Sequence, residues 1–127
     1  MKRPSYYGEK RPVEGEIIAV LEAKGSGLKL SQHWSRALKL HEIHEVMLTA
    51  DEVAPGEDLH RFTAIAFFEV TQGGHTVLGD KAFLGETELG VLAGYELNHM
   101  PNHMNLVFIA KREELPEVRL GQRITIR

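Results

Sequence analysis

The chain has 127 residues, 43% hydrophobic and 26% charged, with a net charge of −3 and no cysteine. This composition fits one ordinary globular domain; it excludes a disulfide framework or thiolate metal site and gives no general pull toward nucleic acid. No apolar run approaches the roughly 18 residues that span a bilayer, and the basic start MKRPSYYGEKRP lacks the apolar core of a secretory signal, so a cytoplasmic protein without membrane insertion is expected.

In chain order, residues 1–12 read as a flexible basic arm and residues 13–127 as one domain. Glu16–Ala23 (EIIAVLEA) is a β-branched run closed by the turn signal Gly25-Ser26-Gly27. Ser31 is placed to cap a short helix over Gln32–Lys39, because Leu30, Trp34, Ala37 and Leu38 recur at helical spacing. Ile43–Ala50 returns to strand, Ala54–Asp58 is a loop, and Phe62–Thr71 (FTAIAFFEVT) is a central strand apolar on both faces. Gly73-Gly74 leads into His75–Leu78. Short strands follow at Ala82–Leu84, Leu89–Leu97, Leu106–Ala110 and Arg123–Arg127, punctuated by glycines at 79, 85, 90, 94 and 121. Many short strands with frequent glycine bends predict an all-β fold: a small pseudobarrel of mostly antiparallel strands folded on itself, with one short helix. Pairing of exposed sheet edges across a two-fold axis predicts a homodimer.

Seven residues are histidine. Two of them stand in Asn98-His99-Met100-Pro101-Asn102-His103-Met104-Asn105, between two strand-like runs. Connections usually draw on Gly, Asp and Ser; His and Asn instead supply groups that titrate near neutrality and both donate and accept hydrogen bonds. Pro101 argues against a continuous helix carrying His99 and His103. A strand beginning at His103 puts His103, Asn105, Val107 and Ile109 on one face, and Met104, Leu106 and Phe108 on the other. A second cluster is HEIHE, residues 41–45. On a strand His41 and His44 point to opposite faces, which disfavours the pair as a chelate, and the spacing is not that of HExxH.

The order MLTADEVAP, then DLHRFTAIAFFEV, then TVLGDKAFLGETELG, VLAGYELN and finally RLGQRITIR resembles the glucitol/sorbitol-specific enzyme IIA component of the bacterial phosphotransferase system. The resemblance runs from Val46 onward, with EIIAVLEAKG matching the family's opening strand and residues 28–42 standing as an insertion. It implies a small all-β pseudobarrel and a cytoplasmic protein tied to carbohydrate use. The family's phosphoryl-accepting histidine aligns at or beside Ala66, its second histidine near Phe68, and the terminal motif's histidine at Gln122. A methyl group cannot carry phosphate, so the resemblance implies a scaffold that has lost the relay. His60, the nearest histidine along that segment, is ~20 Å from Ala66 in an extended chain.

The expectation for function is a diverged protein that binds or acts on a small polar, carbohydrate-like metabolite. Asn98, His99, Asn102 and Asn105 would bind the ligand, and His44, Glu45 and His103 would carry proton transfer. No cofactor is required by this reading. The alternatives are a divalent-metal enzyme using His44, His99 and His103, or a non-catalytic regulatory module that binds a protein partner.

Overall fold

A computed structural model describes residues 8–127, and the fold is all-β. Eleven strands run in order: β1 (Val13–Gly25), β2 (Leu28–Lys29), β3 (Ser35–Leu38), β4 (Ile43–Thr49), β5 (Asp58–Leu59), β6 (Phe62–Gln72), β7 (Gly74–Val77), β8 (Lys81–Leu84), β9 (Thr87–Glu96), β10 (Asn105–Ala110) and β11 (Arg123–Ile126). Seven of them close a barrel in the order β1-β11-β8-β9-β10-β4-β6, with β6 returning to β1. Strands that alternate in direction cannot close a ring of odd number, so at least one neighbouring pair must be parallel. That pair is β4 and β10; every other barrel contact is antiparallel. Because parallel strands start at the same end, the segments that lead into β4 and into β10 meet there.

Alternation along each strand sends one set of side chains inward. Val46 and Leu48, Leu106 and Phe108, Ala66 and Phe68, and Ile17 and Tyr95 share the barrel core. The opposite faces of β4, β6 and β10 are not left to solvent. Met47, Ala64 and Val107 form a smaller apolar cluster with Leu59 of β5 and Leu30, which directly follows β2. The strand-face assignment expected for residues 103–109 therefore holds, with Met104, Leu106 and Phe108 inside and Val107 outside.

The segment expected as a helix over residues 32–39 is not helical. Ser35–Leu38 is a strand paired with β7, with Leu38 opposite Gly74 and Ser35 opposite Val77. A helix of that length is marginal in water, whereas the strand satisfies its backbone against β7 and buries Leu38. Ser31 instead contacts the amide and ring of His33. Residues 1–7 of the expected arm lie outside the described residues. The remainder is tied to the barrel: Lys10 Nζ pairs with Asp80 Oδ2 at 2.6 Å, and Gln72 Nε2 donates to the Pro12 carbonyl. Closure removes the open edges of the main sheet, so the edge-pairing reason for a homodimer does not apply to it. Among the described residues no helix is long and apolar enough to cross a membrane.

Candidate functional site

At the starts of the two parallel strands, four residues line up across four strands on the outer barrel face. Phe67 of β6 stands opposite Glu45 of β4, Glu45 opposite Asn105 of β10, and Asn105 opposite Glu96 of β9. Three of these four are polar and buried: Glu45 is 8% exposed, Asn105 and Glu96 1%. A row of buried polar side chains on an otherwise apolar sheet is costly unless each finds a partner. Glu96 finds two, since Oε1 accepts from Asn105 Nδ2 at 2.8 Å and Oε2 from the Asn98 amide at 3.0 Å. The Asn105 carbonyl oxygen, Oδ1, has none.

The loop from Leu97 to Met104 brings His103 down onto this row. Its ring meets Phe67 edge-on at 5.0 Å, and His99 stacks on its other side at 4.9 Å. His103 Nδ1–H donates to Asn102 Oδ1 at 2.8 Å, which fixes the ring's tautomer and leaves Nε2 bare in the neutral form. Nε2 lies 3.2 Å from Glu45 Oε1, ion-pair distance, yet the alignment is too poor for a hydrogen bond and Nε2 has no other partner. A bare nitrogen and an ionised carboxylate repel at that distance, so the contact is favourable when one of the two groups is protonated. Burial pushes the Glu45 carboxyl above the ordinary range, against the pull of His103 and His99, and the charge of Glu96 adds to the rise. The two side chains are therefore set as an acid–base couple, with burial biasing the Glu45 carboxyl toward its protonated form.

His44, the other expected base, faces the barrel core near Phe68. Its Nδ1 accepts the Met104 amide at 3.1 Å, so its Nε2–H donates to Glu42 Oε1, also at 3.1 Å. Both nitrogens are engaged, and the ring has no free lone pair with which to act as a base. It fastens the end of the His/Asn loop to β4, together with the bond from the Glu45 amide to the Met104 carbonyl. Burial works against charge on Glu42, but the Lys39 amide and the His44 ring outweigh it and hold its carboxyl below the usual range.

Of the residues expected from the sequence, Glu45, His99, Asn102, His103 and Asn105 come together. Asn98 contributes its backbone amide to Glu96, and its side chain is exposed. His44, His99 and His103 do not assemble: among the described residues no three histidine or acidic side chains are placed to hold a metal ion. Two members were missed. Phe67 reads as one more apolar residue of the central strand. Glu96 carried a signal, as an acid closing the otherwise apolar run from Gly90 to Tyr95 directly before the loop.

Residues 7–126 match the model of a family described as "Family of unknown function (DUF6917)". The chain belongs to that family. No curated protein and no solved structure matches it. The DUF6917 match includes the whole barrel, so the row on β6, β4, β10 and β9 lies within the family's domain. The DUF6917 barrel also has a concavity of about 380 Å³ at the far ends of β4 and β10, beneath the 111–122 segment. It is lined by Leu48, Leu84 and Leu89 together with charged residues, of which Glu88 pairs with Lys111 and Arg119 with Glu117. That cavity is of metabolite size. The His103 end has the convergent ionisable groups, a perturbed carboxyl and orphaned polar atoms, which are the better marks of chemistry.

Proposed function

We propose that the row Phe67–Glu45–Asn105–Glu96, with the Leu97–Met104 loop above it, binds a small polar, carbohydrate-like metabolite and exchanges a proton with it. The observation that carries this reading is the 3.2 Å contact between His103 Nε2 and Glu45 Oε1, two ionisable groups withdrawn from solvent, of which burial raises the carboxyl. A histidine beside a carboxyl raised by burial supplies a proton donor and a proton acceptor to one bound group. Such chemistry suits isomerase- or lyase-like steps without a covalent intermediate. In this scheme His103 and Glu45 touch the reacting atoms, while Asn102 sets the tautomer of His103. His99 and Phe67 hold the ring between them. His44 is a positioning residue that keeps the loop on β4. Glu45 and His103 each retain about a tenth of their side-chain surface, 11% and 12%, so a ligand reaches the rim of the pair.

The same reading treats the protein as a diverged relative of the enzyme IIA scaffold in which this site has replaced the phosphoryl relay. Support comes from the all-β barrel and from Ala66, which is 1% exposed inside it.

The test is a titration of the protein with neutral, acidic and amino sugars, followed by amide chemical shifts. A ligand of this site should shift the signals of Glu45, Glu96 and Asn105. His103→Ala should weaken its binding at least tenfold, about 1.4 kcal/mol, with the fold unchanged. Undiminished binding by His103→Ala would remove the site from this loop.

A further inference from the structure

We infer that the ligand of this site carries a protonated amine, which donates to the orphaned Asn105 carbonyl oxygen and to Glu45 and offsets the buried charge of Glu96. The inference rests on the function proposed above and names its substrate class.

The charges at the row do not balance. Two acidic side chains, Glu45 and Glu96, face one histidine, His103, and among the described residues no lysine or arginine makes an ion pair with either acid. Glu96 is 1% exposed and makes no ion pair among the described residues; its charge is met by two neutral donors, the Asn98 amide and Asn105 Nδ2. Two acids against one histidine leave room for a further positive group, and a buried carboxylate without one costs free energy. The hydrogen-bonding inventory points the same way. Asn105 spends its amide donor on Glu96, which turns its carbonyl oxygen into a fully buried acceptor with no donor. Glu45 adds further acceptor positions beside it, one residue across the parallel pair. A group that satisfies this set must be rich in donors, positively charged and small, and an ammonium is all three. A hydroxyl supplies one donor and no charge; a carboxylate or phosphate adds to the repulsion.

Access is through the loop. Asn98 to Asn102 are exposed beside the His103 ring, so the ammonium enters from the loop side, with Glu45 at the rim and Asn105 beneath it.

The test uses three ligands built on one sugar ring: glucosamine, glucose and glucuronate, a cation, a neutral molecule and an anion. Each is titrated into the full chain and followed by amide chemical shifts and calorimetry. Glucosamine should bind at least tenfold more tightly than glucose, shift Glu45, Glu96 and Asn105, and be weakened at least tenfold by Glu96→Gln, while glucuronate should not perturb the row. Glucose or glucuronate binding at the row as well as glucosamine would overturn the ammonium inference and leave the polar-ligand reading intact. If no ligand of any charge shifts the row, both readings fall. The ranking of the three ligands on the unaltered protein decides the matter even if Glu96→Gln does not fold.

Discussion

His44 and Glu45 are neighbours on β4, and the two-residue period of a strand turns them to opposite faces, one into the core and one onto the outer row. Each meets a partner of opposite type, with opposite consequences for the titration of the glutamate involved. The Glu45 carboxyl is raised, chiefly by burial, so the folded state takes up a proton there more readily than the unfolded chain. Its contribution is most favourable at acid pH and is lost as pH rises from the ordinary carboxylate range through the raised value. Burial opposes the Glu42 charge, yet its hydrogen bonds hold it low; its contribution is present above the ordinary range and is lost as pH falls through its lowered value. Glu45→Gln should therefore gain thermal stability relative to the parent as pH rises toward neutral, whereas Glu42→Gln should lose it. Melting temperatures taken between pH 4 and pH 8 check both, and a parallel pH trend in the two variants would refute the assignment. At this scale much was legible. Strand parity separates His44 from Glu45 and puts His103 with Asn105, but no spacing in a sequence says that Glu96, on another strand, lies beside Asn105.

Among the strands, β3 is the one the sequence misrepresents. Leu30, Trp34, Ala37 and Leu38 recur at helical intervals, and a four-residue strand is too short to show its own alternation against that background. What decides the outcome is a partner distant in sequence: β7 offers Gly74–Val77, and the pairing continues into a buried chain of hydroxyls. The Tyr95 hydroxyl donates to Thr76 Oγ1 at 2.6 Å, and Thr76 in turn donates to the Arg36 carbonyl at 3.1 Å. The barrel core is thereby bonded to the outlying β3-β7 sheet. Burial drives the Tyr95 phenol upward, so the proton stays on the oxygen and the donation persists throughout the ordinary pH range. Tyr95→Phe leaves Thr76 without that donor and should cost about 1 kcal/mol, read from urea unfolding. A close approach between β9 and β10 supplies a second test. A Cβ at Gly90 would collide with the Ile109 carbonyl, which is backbone and cannot swing aside, so Gly90→Ala should destabilise by about 1–3 kcal/mol. The two-residue strands β2 and β5 had no chance of being read from sequence, because a pair so short is held by what it covers, here Met47 and Val107.

For the molecule as a whole, glycine-bounded short strands did indicate a closed, mostly antiparallel β architecture. The parallel pair did not show in the sequence, since it follows from the count of strands in the ring and not from any local pattern. It nevertheless sets the site, because it brings the loops before β4 and β10 to one end. The same architecture bears on the expected loss of the phosphoryl relay. Ala66 and Phe68 face the barrel interior, at 1% and 0% exposure, where no protein donor could reach them. Incubation with phosphoenolpyruvate and the general relay proteins should leave no acid-labile, base-stable phosphate on the chain. Phosphate recovered on His103, His60 or His44 would reverse that conclusion.

The ring is completed where β1 meets β11, with Val13 opposite Ile126. Hairpins such as β8-β9 join neighbours in sequence and form within microseconds. The β1-β11 seam unites segments separated by nearly the whole domain, and contacts of that kind come late in folding. β11 is held by four residue pairs to β1 and three to β8, so it should be the first strand of the barrel to breathe, with fast amide exchange at Arg123–Ile126. Around the ring, β10 lies farthest from that seam, with β4 and β9 on either side of it. The barrel can part at its weld line without disturbing the row that holds Glu45 and Asn105.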